Sequence, residues 1–301
     1  MPFFKAIIIA PFLSLFVFVG CKNSENNLIP ASQNENAIKR DLSEEFKTYW
    51  YDGYAEITSY DLKQERYGEL RKGTAVNIFV TEDFLPEAQV KANNISEENI
   101  PVLKLNQVKK YVTGIYPYSV MTSAFSPLNS TQHAVKLSFS MQEWCGQAYV
   151  QLNNKMEFEI TSHSYFEGEA DQNLSLPKTW LESEIWNLIR INPNLLPTGD
   201  LSVLPSFEYF RMSHQKIESK NAYGKLMQGD SLSTYTLEYP EIKRSLAIYF
   251  NSQSPYEIER WEETHPNGLK TTAEKLRRIK SKYWSQNGTQ FEFLRDSLLL
   301  N

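Results

Sequence analysis

HAVKLSFSMQEWCGQAYVQLN, residues 133–153, decides the fold class. Val135, Leu137, Phe139 and Met141 alternate with Lys136, Ser138, Ser140 and Gln142, a period of two that places one apolar face on an extended strand. After a break at Gly146 the alternation resumes in QAYVQLN. Burial on one face only suits an antiparallel sheet, because strands of a parallel sheet read as continuous apolar runs.

The same period extends outward on both sides. AEITSYDL (55–62), GTAVNIFVTED (73–83), VLKLNQVKKY (102–111), IYPYSVMTSAF (115–125) and MEFEITSHSYF (156–166) join HAVKLSFSMQ and QAYVQLN as seven strands in succession. In the second of these, Val76, Ile78 and Val80 share a face opposite Asn77 and Thr81. Later strands are expected at LSVL (201–204), FEYFRMS (207–213), STYTLEY (233–239), SLAIYF (245–250) and YEIERWEE (256–263). HPNG (265–268) turns the chain into a stretch that favours a return strand from Leu269, although Ala273, Leu276 and Ile279 also fit a helix.

Three helices punctuate this run. Asp41 with Glu44 fits a capping box, with Leu42, Phe46, Tyr49 and Trp50 on one face and a stop at Asp52-Gly53. After Pro177, Leu181, Ile185, Leu188 and Ile189 recur at helical spacing beside Trp180, until Asn192-Pro193. TQFEFLRDSLLL (289–300) reads as a short helix laying Phe291, Leu294 and Leu298 on the sheet. An antiparallel sheet of about a dozen strands must curl, split or close. The expected fold is therefore mainly β: a large curved antiparallel sheet, half-barrel or open barrel, with the Trp180 helix packed against or into it. The alternative is a two-sheet β-sandwich.

The front of the chain is different. The apolar run from Ala6 to Val19 follows one positive charge, Lys5, and is too short to span a bilayer comfortably. Phe18-Val19-Gly20-Cys21 resembles a bacterial lipobox, in which the cysteine is lipidated and the chain is cut before it. That resemblance implies a signal peptide over residues 1–20 and acylation (palmitate among the chains) at Cys21. Residues 21–40 carry the lipidated cysteine and an Asn-, Ser- and Glu-rich tether, leaving 41–301 as a single β-rich domain. Lys22, where some bacteria read aspartate as a retention signal, implies the outer membrane as destination, facing the periplasm or the cell surface.

Composition narrows the function. The net charge is −5, and losing Lys5 with the leader makes it one unit more acidic, which argues against a nucleic-acid partner. With Cys21 acylated, Cys145 is the one remaining thiol, so no internal disulfide forms and packing must supply the stability. The 17 Tyr, 17 Phe and 6 Trp are ample for that. Nucleophile-elbow, phosphate-loop, dinucleotide-binding and HExxH patterns are absent, and the four histidines, His133, His163, His214 and His265, are too scattered for metal-ligand spacing. No metal and no cofactor is expected.

Two stretches stand out as candidate sites. If the face of Val135 to Met141 continues, Glu143 and Cys145 point inward and Trp144 outward, unless Gly146 marks a bulge. An inward carboxylate must be paired, protonated or set against water. Cys145 is open to three readings: apolar filler, ligand-lining thiol, or nucleophile needing a histidine brought in by the fold. Tyr116 and Tyr118 share one face of IYPYSVMTSAF and join Glu143 and Cys145 as candidate ligand-lining residues. The basic run Lys275, Arg277, Arg278, Lys280 and Lys282 reads as a solvated face, or as a patch resting on acidic headgroups.

KGTAVNIFVTEDF, VLKLNQVKKYVTGIYPYSVMTSAFSP and QEWCGQAYVQLN together resemble an uncharacterised lipoprotein family of Bacteroidetes-type bacteria. Members sometimes carry the label "septum formation inhibitor Maf". True Maf pyrophosphatases share an S-x-S-P-R-R stretch, and the nearest approach, Ser123-Ala124-Phe125-Ser126-Pro127-Leu128, has different spacing and lacks both arginines. The resemblance supplies no site residues. The expected function is a lipid-anchored, non-enzymatic binding module for an apolar or amphipathic ligand. An envelope scaffold that binds other proteins is the first alternative, and a hydrolase using Cys145 or Glu143 the second.

Overall fold

The computed structural model describes residues 39–300. The leader, Cys21 and nearly all of the tether lie outside the described residues.

Helix α1, Glu44–Trp50, is capped by Ser43, whose side chain accepts from the Phe46 amide, and not by the expected Asp41. Strands β1 (Ala55–Arg66), β2 (Glu69–Leu85), β4 (Ile100–Thr113), β5 (Tyr116–Pro127), β6 (Lys136–Glu143), β7 (Gly146–Asn154) and β8 (Phe158–Ser164) are the seven expected from the alternation. Between and after them lie three short strands that the sequence did not announce: β3 (Val90–Lys91), β9 (Gln172–Leu176) and β10 (Trp180–Leu181). The second half supplies β11 (Gly199–Leu204), β12 (Lys220–Met227), likewise not expected from the sequence, β13 (Leu232–Tyr239), β14 (Arg244–Asn251), β15 (Ile258–Thr264) and β16 (Lys270–Ser281). The ambiguous stretch after HPNG is thus strand β16. Helices α2 (Glu182–Ile191), α3 (Phe207–Ser213) and α4 (Phe293–Ser297) complete the described residues, with short 3₁₀ turns between.

All sixteen strands belong to one sheet. Its order runs from β10 through β16, then β1, β2 and β4 to β9, with β3 paired to β2. The first and last long strands, β1 and β16, pair antiparallel at the centre, so the two halves of the chain wind away from a shared seam. The ends of the sheet, β9 and β10, are separated by three residues in sequence yet are not paired, and the barrel stays open.

Helix α2 fills the concave side, and every one of its ten residues is buried. The apolar ones (Ile185, Leu188, Ile189, Ile191) join one core cluster with Phe79, Leu105, Phe139, Val150 and Trp261. Most of the polar ones are bonded to the surrounding chain, although the Asn187 Oδ1 has no partner among the described residues. Arg190 forks onto Glu56, with Nη2 to Oε2 at 2.8 Å. The Asn187 amide donates to the Leu103 and Ala124 carbonyls at 3.0 and 3.2 Å. Glu184 accepts from the Ala134 and Leu181 amides at 2.6 and 3.0 Å. A helix that is polar on several sides can be buried because its charged groups and most of its other polar groups find such partners.

One expected strand is a helix. FEYFRMS forms α3 because Ser206 caps it through the Tyr209 amide and Phe207, Phe210 and Arg211 fall on one buried helical face. His214, with φ 53°, ends it in the left-handed region. At the C-terminus, α4 lays Leu298 on the convex face against Ala55, Ile57 and Val80.

Candidate functional site

Because α2 occupies the concave side, ligand space lies at the rim of the open barrel. The hairpin turns at 67–68, 114–115 and 144–145 define one end of the sheet, together with the 265–269 turn and the segment after β11. A cleft of about 460 Å³ opens there between α3 and the ends of β1, β15 and β16. Arg66, Tyr209, Met212, Ser213, Ile242 and Asn267 form its walls. Gln64, Glu208, Glu263 and His265 line it more deeply.

Two carboxylates, Glu208 and Glu263, reach the cleft's depth, and each is held from behind by a buried cation. Lys109 Nζ meets both Glu208 oxygens at 3.1 and 2.8 Å, with both side chains nearly buried. Arg244 donates through Nε to Glu263 at 2.6 Å and through both terminal nitrogens to Glu182 at 2.5 and 2.8 Å. Tyr239 donates to the same Glu182 at 2.7 Å, tying the network to the start of α2. Burial would raise the Glu263 carboxyl, but Arg244, His265 and Lys109 outweigh it and hold it down at about 2. His265 Nε2 lies 2.8 Å from Thr271 Oγ1, and that hydroxyl also accepts from Gln64 Nε2 at 3.2 Å. The Oε1 of buried Gln64 has no partner among the described residues.

Arg66 joins this floor to an aromatic lobe. Its Nη1 donates to the Met212 carbonyl at 3.2 Å and its Nε to the Tyr118 hydroxyl at 3.4 Å. Tyr118 stacks on Tyr111 with centroids 4.8 Å apart, meets the Tyr67 hydroxyl at 3.0 Å and lies 5.8 Å from Tyr116. The structure therefore brings two of the expected lining residues to the edge of the cleft: buried Tyr118 behind Arg66, and half-buried Tyr116 beyond it.

Glu143 and Cys145 are placed otherwise. Glu143 pairs with Gly146, so Trp144 and Cys145 form a two-residue hairpin turn, and the inward face of β6 ends at Met141. Cys145 is exposed. Its amide donates to Glu143 at 2.6 Å, and hydrogen bonding to this carboxylate together with its charge pushes the thiol upward, away from the nucleophilic form. The histidines bond elsewhere: His133 to Glu184, His214 to Glu169, and His163 to Asp171. Among the described residues, no three His, Cys, Asp or Glu side chains come together as metal ligands. The basic run on β16 is largely paired: Lys275 with Glu257 and Glu259, Arg278 with Glu257, Lys280 with Asp52.

The residues that build the cleft did carry a sequence signal. Gln64 and Arg66 stand in phase with Tyr60 and Leu62, Lys109 with Leu105 and Tyr111, Arg244 with Leu246 and Ile248, Glu263 with Trp261. A charge at a core-facing strand position marks a buried pair or a site. Glu208 and Met212 were hidden by the reading of α3 as a strand.

A second crevice of about 300 Å³ lies on the convex face beneath α4, between Ile57, Ile279, Tyr283, Leu294 and Leu298. It holds no comparable buried charge.

No family model and no curated protein matches the sequence. Among solved structures, the chain is similar to a β-barrel-like protein of a domain of unknown function, DUF1849, from Brucella abortus. The identity is 8% over 76% of this chain and 98% of that one, with a TM-score of 0.45.

Proposed function

We propose that the protein is a lipid-anchored outer-membrane lipoprotein whose folded part is a non-enzymatic binding module, and that its ligand is amphipathic and sits in the rim cleft. The observation that carries this reading is the pairing of surfaces there. A floor with Glu208 and Glu263, whose partners Lys109 and Arg244 are buried behind it, meets walls from Met212, Ile242 and Tyr209. Such a site holds a polar group by hydrogen bonds at depth and apolar surface at the mouth. The concave side is taken by α2. The hydrolase reading has no support, since Cys145 lies in an exposed turn and the histidine contacts are made to other residues.

The anchor rests on the resemblance of Phe18 to Cys21 to a lipobox, and the outer-membrane destination on Lys22. The cleft is tested by expressing the full chain in a bacterial envelope, extracting it in mild detergent and weighing it intact by mass spectrometry. The wild type is expected to carry a small amphipathic molecule beyond the anchor. Ser213→Trp, which fills the cleft from α3, is expected to lose it at least tenfold. Equal ligand content in the two proteins, or a wild type weighing only the lipidated polypeptide, overturns the reading.

A further inference from the structure

Turns between strands favour Gly, Asn, Asp, Pro and Ser, which supply the required backbone angles and face water without cost. The rim beside the cleft departs from this preference by placing a large apolar or aromatic residue in each of its successive turns. The β1–β2 turn is Tyr67-Gly68, with Tyr67 itself in the left-handed region at φ 58°. The β4–β5 turn is Gly114-Ile115, the β6–β7 turn is Trp144-Cys145, and the β8–β9 connection begins with Tyr165 and Phe166. Tyr67 is 59% exposed, Ile115 81%, Trp144 68% and Tyr165 79%.

These residues are neighbours in space. Tyr67 meets Tyr118, which leads to Tyr116, and the Trp144 ring lies 6.2 Å from Tyr116. A Cβ placed on Gly146, next to the Trp144-Cys145 turn, would touch the Tyr165 ring, so the belt continues to the fourth tip. Single exposed apolar residues are ordinary, whereas a contiguous set on successive tips marks an interaction surface.

We propose that this rim docks on the surface of a phospholipid bilayer, with Tyr67, Ile115, Trp144 and Tyr165 entering the headgroup layer. Three observations select a bilayer as the occupant. Trp and Tyr are the side chains whose apolar body and polar edge suit that depth. The tips carry no cationic excess to draw them to a polyanion: Glu143, Glu167 and Asp171 lie beside Trp144 and Tyr165, so apolar insertion must drive the contact. Third, the chain joins the fold at the opposite end, where Lys39 bridges Ser130. The residues between Cys21 and Lys39 span at most about 60 Å when extended. That matches the roughly 55 Å contour of a strand as long as β2, so an anchored domain can lay its far rim on the same membrane. Docking does not require an occupied cleft, but it would place the cleft mouth, through Arg66 and Tyr67, against the lipid.

Cys145 is a built-in probe at one tip. The full chain carrying Cys21→Ala is labelled at Cys145 with a nitroxide, and its accessibility to a water-soluble relaxant is measured with and without phosphatidylcholine vesicles. Accessibility is expected to fall severalfold on vesicle addition and to do so at high salt as well. Adding Ile115→Ser and Trp144→Ser is expected to restore it while leaving the thermal unfolding midpoint unchanged. Accessibility that is the same with and without vesicles overturns the proposal. So does protection that grows with protein concentration in the absence of lipid, which would assign the rim to a second copy of the chain. A double variant still protected by vesicles overturns it too, because contact would then come from the apolar N-terminal run.

Discussion

The two sides of the central strands are both covered, but by different chemistry. On the concave side, β1, β2 and β4 face a helix held by the Arg190–Glu56 pair and by the Asn187 and Glu184 hydrogen bonds. On the convex side, β1, β2 and β16 are covered chiefly by apolar groups, with no buried ion pair among the described residues: Ala55, Ile57 and Val80 lie under Leu298, with Val76, Ile78, Ile279 and Tyr283 around them. The aliphatic triplet Val76, Ile78, Val80, the clearest apolar alternation on β2, lies on the convex side. Its inward face is Ala75, Asn77 and Phe79. Alternation identifies a strand; it does not say which side is the inside. That is set by the covering element, and here the covering helix brings polar groups that the inward residues must answer.

The largest effect separating the two sides should come from Arg190. Both members of its pair with Glu56 are buried, and Tyr49 also donates to that carboxylate. Arg190→Met leaves the buried carboxylate only the half-exposed Arg278 as charge partner, 4.0 Å away, which costs about 3–5 kcal/mol, while replacing a whole buried pair by apolar groups is often neutral. Arg190→Met combined with Glu56→Leu is therefore expected to recover at least half of the single variant's loss in urea unfolding. Burial would raise the Glu56 carboxyl, but the Arg190 charge and hydrogen bond outweigh it and hold it below its usual range. A loss of under about 1 kcal/mol for Arg190→Met would show that apolar packing, not the ion pair, secures α2.

The convex side offers the middle-sized effect. Leu298→Ala removes the central contact of the smaller cluster, and the cost should fall near the lower end of the buried-leucine range, about 2 kcal/mol. The short α4 segment can settle into the space, which already includes the crevice beneath it. A cost larger than that of Arg190→Met would reverse the comparison and make the C-terminal segment the main clamp on the seam between β1 and β16.

The strands were legible because the sheet is so regular. Bulges interrupt the pairing at Ser59/Tyr60 and Tyr249/Phe250, and elsewhere period two survives along whole strands. Short edge elements were not: β9 and β10 lie at the open ends of the sheet, where half-exposed residues leave no alternation to read. α3 was misread because Phe207, Tyr209 and Arg211 also fit period two, and only the Ser206 cap and the burial of Phe210 separate the alternatives. Of the candidate lining residues, Tyr116 and Tyr118 share a face as expected, since they sit mid-pattern at the start of β5. Glu143 and Cys145 do not line the interior, because the inward face of β6 ends at Met141 and the chain turns at residues 144–145. The cleft is assembled from residues far apart in sequence, 99 positions for Lys109 with Glu208 and 146 for Arg66 with Met212, and no local motif can announce such pairs.

The smallest effect lies at the start of α2, where the polar concave side reaches the surface. His133 Nδ1 is 2.7 Å from Glu184 Oε1, and the ring sits edge-on to Trp180 at 5.0 Å. Burial would lower the imidazole, but the Glu184 carboxylate, by charge and hydrogen bond, outweighs it and raises the group above its ordinary 6.5. A raised folded value means that the protonated pair stabilises fully below pH 6.5, and that this contribution is lost as pH climbs through the folded value. His133→Gln should therefore be less stable than wild type at pH 6 by on the order of 1 kcal/mol, since the ring is partly exposed. The gap should narrow towards pH 9, because Glu184 keeps its bonds to the Ala134 and Leu181 amides in both proteins. Urea midpoints measured across that range check it. A gap that stays constant with pH would mean that His133 acts by packing against Trp180 and Phe158, and that its charge contributes nothing to holding the helix.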